Sequence, residues 1–224
     1  YASHIITGAG FGGIVCFNDK NLYNNAKLLR GWGRSSAVFN ESEGINLRFN
    51  KKVDGIPYDG KYIFSEMGYN FLPSEISAAF ALEQLKKLKS NINIRVKNFN
   101  KIFNYFKKHE DLFILPTEFK GLKTGWLAFP LIIKDSSKIV RKNLQIFLEK
   151  NEIQTRTIFT GNILRQPIMK SQVYKKCKDA TTNSDNVMKN GILIGCHHGL
   201  TGNNIKYMLS KFDAFFSKFN LKVS

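Results

Sequence analysis

Between positions 76 and 106 apolar residues recur at the spacing of one helical face. They are Ile76, Ala79, Phe80, Leu82, Leu85 and Leu88, then Ile92, Val96, Phe99, Ile102, Phe103 and Phe106. No other stretch constrains the fold as strongly, because so long a stripe asks for cover along one side of a helix. Pro73 or Ser74 opens it, with Glu75 in the first turn, where exposed amides favour a carboxylate. One long helix satisfies the pattern, and so do two joined near Ser90-Asn91. Lys86, Lys87, Lys97, Lys101, Lys107 and Lys108 fall off the stripe and are expected to form the wet face.

On either side of this stripe the texture changes. Upstream, Gly13-Ile14-Val15-Cys16-Phe17, ended by Asn18-Asp19, reads as a buried strand. A helix follows over 21–32, with Leu22, Ala26 and Leu29 on one face, closed by Gly31-Trp32-Gly33-Arg34. Residues 35–62 are polar and rich in turn formers (Asn40, Gly44, Asp54-Gly55, Pro57, Asp59-Gly60), which predicts a long functional or interfacial loop. Beyond Pro116 the spacing predicts strands over 126–133, 153–159 and 192–196. Helices are predicted over 137–150 and 201–219, with short ones near 171–178 and 184–189. Thr201 is placed to cap the last helix, with Ile205, Met208, Leu209, Phe212 and Phe216 turned inward. Such alternation indicates a compact α/β domain. The end of the long helical stripe sets a boundary near residue 110, dividing the chain into 1–110 and 111–224.

A length of 224 residues suits one domain, or a domain plus part of another. A hydrophobic content of 43% excludes a disordered tail. No apolar run approaches a bilayer's thickness and no signal-peptide pattern is present, so no membrane partner is expected. The chain starts inside an element without an initiator Met and reads as a fragment of a longer protein. Cys16, Cys177 and Cys196 are odd in number and widely spaced, which argues against a disulfide framework and for a reducing, cytoplasmic setting. The net charge of +17 raises nucleic-acid binding as a function class. The lysines are scattered rather than gathered in a tract, and Lys, Asn, Ile and Phe are abundant together. A coding bias acting on solvated positions accounts for the charge, and no nucleic-acid partner is expected.

Several short motifs remain. Gly8, Gly10, Gly12 and Gly13 crowd into a turn preceded by His4, the only titratable side chain beside it. The turn contains a Gly-x-Gly-x-x-Gly match, but a strand, not a helix, is expected after it, so it is no dinucleotide fingerprint. Cys196-His197-His198 lacks a second cluster, and no metal site is expected. His109, at a polar helix end, is expected to be solvated. Arg156, Asn162 and Arg165 surround a strand end and a glycine turn, an arrangement suited to phosphate or sugar hydroxyls.

Three stretches together resemble the C-terminal portion of the vitamin-B6-dependent sugar aminotransferases of the DegT/DnrJ/EryC1/StrS family. They are the opening turn ending in Gly12-Gly13, the segment Gly68-Tyr69-Asn70-Phe71 through Ser74-Glu75-Ile76-Ser77-Ala78-Ala79 to Gln84-Leu85, and Gly195 through Gly199-Leu200-Thr201. The resemblance covers essentially the whole chain. It implies the aspartate-aminotransferase fold (type I), an α/β architecture with a small α/β C-terminal domain, and pyridoxal or pyridoxamine 5′-phosphate as cofactor. The first part of the large domain would lie upstream of Tyr1, and the isolated chain is expected to be inactive. Asn70 matches the family's asparagine that reaches the cofactor phosphate of a neighbouring subunit, which implies a homodimer with shared active sites. Asn70 could equally serve as a helix-capping residue.

Details of the resemblance select a branch. Aligned on the glycines, His4 falls where ordinary members carry the lysine that holds the cofactor. The segment from Thr155-Arg156 through Gly161-Asn162 to Arg165-Gln166-Pro167, followed by His198-Gly199-Leu200-Thr201, is similar to the sugar 3-dehydratases. These remove the C3 hydroxyl of a nucleotide-linked 4-keto-6-deoxyhexose. The resemblance implies His4 as acid/base, and Arg156, Asn162 and Arg165 as substrate contacts. Its setting would be deoxysugar synthesis for surface polysaccharide, with glutamate as a possible amino donor. A plain nucleotide-sugar aminotransferase is the alternative within the same fold. Two departures stand out. Phe11 occupies a position usually acidic in the family, and the segment from Ser35 to Gly60 contains no cysteine. Without thiolates there, no iron–sulfur cluster of the kind found in one dehydratase subgroup is expected.

Overall fold

The computed structural model describes residues 7–10, 12–40, 42–175 and 181–221. Its contacts gather the chain into two units, Tyr1–Lys86 and Lys87–Ser224.

In the first unit, helix α1 (Lys20–Arg30) starts at Asp19, whose carboxylate accepts the Leu22 N–H at 2.8 Å. It stops at Gly31, whose own N–H turns back to the Lys27 and Leu28 carbonyls. The predicted strand before it is absent. Residues 12–17 are unpaired, and Ile14 and Val15 are exposed. An apolar run becomes a strand only when a neighbour completes its ladder, and none of the described residues does so. The loop expected over 35–62 is instead largely structured. It holds a helix α2 (Ile45–Phe49) and a hairpin of β1 (Lys51–Val53) and β2 (Ile56–Tyr58), with Val53 opposite Ile56. The hairpin turns at Asp54 (φ 49°) and Gly55 (φ 81°), the left-handed pair that an Asp-Gly sequence favours. Arg48 and Asp59, with Glu43 and Lys61, tie this region together by ion pairs.

Helix α3 (Glu75–Phe106) is continuous over 32 residues, so the stripe forms one helix rather than two. The Ala78 N–H bonds to the Ser74 carbonyl, consistent with a start at Ser74. The six lysines off the stripe are all exposed. The stripe itself divides: Ile76, Phe80, Leu82 and Leu85 are exposed, whereas Phe99, Ile102 and Phe106 are buried.

In the second unit the sheet runs β3–β4–β6–β5, every pair antiparallel. The strands are β3 (Phe113–Ile114), β4 (Ala128–Ile133), β5 (Thr155–Arg156) and β6 (Gly191–Gly195). Strand β4 alternates cleanly, burying Phe129, Leu131 and Ile133, and its partners Ile194 and Ile192 on β6 are buried with them. Helices α4 (Arg141–Lys150), α5 (Thr182–Asn190) and α6 (Gly202–Lys218) complete the unit. Helix α6 carries a full capping box: the Asn204 N–H donates to Thr201 Oγ1 and the Thr201 N–H to Asn204 Oδ1. The strand predicted over 153–159 shrinks to Thr155 and Arg156, the two residues that pair with β6, and Phe159 beyond them has φ 45°. Pro167–Ser171 is a 3₁₀ helix, while 176–180, which include Cys177, lie outside the described residues.

His109 corrects the sequence reading. It is buried against the rings of Tyr105 and Phe216, at 4.8 and 4.9 Å, and its Nδ1 finds no partner among the described residues. Burial pushes its pKa down, opposed by Asp213 and Asp111. The sequence cue, a run of lysines, described the neighbouring positions and not the face on which His109 lies.

Candidate functional site

Asn70 is positioned by a backbone clamp. The Trp32 N–H donates to the Tyr69 carbonyl, the Tyr69 N–H to Leu29 O at 2.7 Å, and the Phe71 N–H to Arg30 O at 3.0 Å. Gly31 and Asn70 thereby form a β-bridge. The segments approach so closely that only glycine fits at two points. A Cβ on Gly33 would sit 1.8 Å from the Glu66 carbonyl oxygen, and one on Gly68 would sit 2.0 Å from Gly33 N. Gly33 also has φ 77°. The backbone of Asn70 is therefore fixed while its side chain is exposed and makes no hydrogen bond among the described residues. An amide held this way suits a phosphate oxygen, so the residue that the resemblance assigns to the cofactor fits the group. His4 lies outside the described residues, as does Phe11.

In the second unit, Asn162 and Arg165 converge on one carboxylate. Asn162 is buried; its Oδ1 accepts the Leu164 N–H at 3.0 Å and its Nδ2 donates to Asp185 Oδ1 at 2.7 Å. Arg165 donates through Nε to Oδ1 at 3.0 Å and through Nη2 to Oδ2 at 2.7 Å of the same aspartate. The guanidinium first, then the Asn162 amide, hold the Asp185 carboxyl down at about 2. Arg165 remains exposed, with donors to spare. Arg156 shares no hydrogen-bond partner with this cluster. It is exposed on β5 and donates to its neighbour's carbonyl, Thr155 O, at 2.8 Å. Asp185 escaped the sequence reading. An acid in the first turn of a short predicted helix looks like ordinary dipole compensation, and only the fold brings it to Arg165.

The turn after β6 holds Cys196, His197 and His198. Cys196 is buried, its thiol pushed up to about 12 by that burial, and its Sγ lies 3.6 Å from Trp126 O. The Gly199 N–H donates to His197 Nδ1 at 3.2 Å, and Arg95 reaches His198 Nδ1. Partial burial, then the charges of His198 and Arg95, lower the His197 pKa. Among the described residues no three His, Cys, Asp or Glu side chains gather as a metal site. No helix among them is long and apolar enough to cross a membrane.

The model of the DegT/DnrJ/EryC1/StrS aminotransferase family matches residues 1–213. The chain belongs to this family. Lipopolysaccharide biosynthesis protein RfbH of Salmonella typhimurium is 31% identical over 219 residues, 96% of this chain and 50% of that protein. A dTDP-4-dehydro-2,6-dideoxy-D-glucose 3-dehydratase of Saccharopolyspora spinosa is 32% identical, over 97% of this chain and 47% of the relative. Among solved structures, E. coli GDP-4-keto-6-deoxy-D-mannose-3-dehydratase with bound hydrated PLP superposes with a TM-score of 0.69 at 30% identity. That match covers 87% of this chain and 48% of the other. The chain thus spans about half the length of the family members it matches. Its fold is that of the C-terminal portion of these PLP-dependent, type I transferases, as the resemblance implied.

Proposed function

We propose that this chain is the C-terminal portion of a pyridoxal/pyridoxamine 5′-phosphate-dependent 3-dehydratase acting on a nucleotide-linked 4-keto-6-deoxyhexose. The reading rests on His4, which the resemblance places at the family's lysine position, in a chain about 30% identical to proteins named as such dehydratases. When bound, the cofactor's pyridoxamine form would supply an amine for the 4-keto group and an electron-withdrawing ring. A histidine in place of lysine cannot attach the cofactor covalently and leaves that amine free. With an ordinary pKa of about 6.5, the imidazole can take up a proton and deliver it to the departing C3 oxygen at neutral pH.

The remaining residues bind and orient. Asn70 donates to the cofactor phosphate of the neighbouring subunit, which makes the assembly a homodimer with shared sites. Exposed Arg156 and Arg165 serve the substrate's phosphates, and Asn162 orders Arg165 through Asp185. Glutamate serves as amino donor to the cofactor. No cysteine lies between Ser35 and Gly60, so no iron–sulfur cluster takes part. The division at 110/111 separates the cofactor-binding portion from the small domain. The setting is cytoplasmic deoxysugar synthesis for polysaccharide.

The test uses the natural full-length protein with a nucleotide-4-keto-6-deoxyhexose and glutamate. Loss of the C3 hydroxyl is expected. An aminated sugar that keeps its C3 hydroxyl would overturn the reading in favour of an aminotransferase. His4→Lys should introduce the visible absorbance of lysine-bound cofactor, and the same absorbance in the natural protein would also sink the proposal.

A further inference from the structure

Helix α3 buries two polar side chains, Arg95 and Asn98, in the second unit. Both act on the turn between β6 and α6. Asn98 Nδ2 donates to His197 O at 3.0 Å and Leu200 O at 3.2 Å, bracketing the turn. Arg95 is 3% exposed, and its Nε and Nη2 each lie 3.4 Å from His198 Nδ1. Its Nη1 is buried with no partner, and it forms no ion pair, among the described residues.

A guanidinium has donors and no acceptor, so His198 Nδ1 must be the acceptor and the ring proton sits on Nε2. The same argument assigns His197, whose Nδ1 accepts the Gly199 N–H at 3.2 Å. Both imidazoles are exposed, so Nε2–H is the group each has left for an outside acceptor. A buried guanidinium without a carboxylate leaves its charge uncompensated, which polarises the imidazole bonded to it and strengthens its N–H as a donor. The positive end of the 17-residue helix α6 begins three residues on, at Thr201.

We propose that Arg95 is a positioning residue that fixes His198 with Nε2–H outward, and that this N–H binds a substrate oxyanion. The oxyanion is a phosphate of the nucleotide sugar or a carboxylate of the amino donor. The choice between those two rests on the dehydratase reading; the tautomer and the anion site do not. Nitrogen NMR of the full-length protein with labelled histidine tests the tautomer. His198 is expected as Nε2–H in the natural protein and as a mixture in Arg95→Met, with Arg95→Lys restoring part of the preference.

GDP, dTDP, inorganic phosphate and glutamate are then titrated separately while the His198 Nε2 signal is followed. A shift with the nucleotides or phosphate assigns the phosphate; a shift with glutamate alone assigns the carboxylate. In either case Arg95→Met should weaken that binding about tenfold, the scale of one charge-assisted hydrogen bond. The matching KM should rise by a similar factor with kcat changed less than about twofold. An Nδ1–H tautomer in the natural protein, or no response to any of the four anions, would overturn the proposal. If Arg95→Met does not fold, Arg95→Lys and the natural protein still decide it. Product analysis showing amination would sink the dehydratase reading and leave these spectra unaffected.

Discussion

The two units of this chain reach order by different means. In Lys87–Ser224 the side chains of Phe106, Phe129 and Phe212 are fully buried and stack or meet edge-on at 4.9 to 5.7 Å, across a helix, a strand and a second helix. In Tyr1–Lys86, among the described residues, no large hydrophobic side chain is buried. The buried positions there are glycines and two serines, Ser36 and Ser77. Order comes instead from backbone against backbone, as at Gly33 and Gly68, and from the ion pairs around Arg48. The difference lies in which contacts hold the backbone within each unit. Within the first unit a clamp of main-chain hydrogen bonds fixes the backbone of Asn70.

The largest effect that could break this comparison comes from the cores. Phe106→Ala should cost about 3–5 kcal/mol in urea unfolding of the 224-residue chain, because Phe106 touches Phe113, Phe129 and Phe212. Phe80→Ala, on the exposed half of the same helix, should stay within about 0.5 kcal/mol. Equal costs would erase the distinction. Next comes Gly33→Ala, which must displace the Glu66 carbonyl and adopt positive φ. A loss of about 1–3 kcal/mol is expected. In the full-length protein, cofactor affinity should fall too, because Asn70 shares the clamp. A neutral result would show that the first unit does not depend on its backbone fit.

Smaller still, Thr201→Ala removes the cap of α6 and should cost about 1 kcal/mol by the same unfolding measurement. The last prediction concerns pH. His109 has a folded pKa lowered below its unfolded value of 6.5, so the unfolded chain binds more protons between the two. Its neutral, buried form is fully tolerated above pH 6.5. Stability then falls as pH drops from 6.5 through the folded pKa. His109→Phe should flatten that acid limb without changing the plateau's sign, read as the urea midpoint between pH 7.5 and 5. An unchanged slope would mean that His109 is not proton-linked to folding.

Legibility followed the physics of each element. Helix α6 was readable down to its cap and its inward residues because Thr201 and the spacing of Ile205, Met208, Phe212 and Phe216 are local properties. Strand β4 was readable for the same reason. The hairpin around Asp54-Gly55 carried its signal in two residues but sat in so polar a stretch that it read as loop. The strand expected at 13–17 failed because pairing is a property of two segments, and the sequence describes one. Of the candidate site, His4 and Asn70 came from motif resemblance and Arg156, Asn162 and Arg165 first from their residue types around a strand end and a glycine turn, whereas Asp185, Arg95 and Asn98 carried no local mark at all.

By itself, then, the sequence determined the periodicities, the caps, the family and the residue at position 4, all of which are written along a single stretch of chain. Only the tertiary structure decided which charges meet. Asp185 finds Arg165 across 20 positions, and Arg95 finds His198 across 103. An arginine on an amphipathic helix reads as solvated until the fold places its guanidinium beneath another segment. Burial and hydrogen-bond direction are then set by atoms that no local pattern encodes.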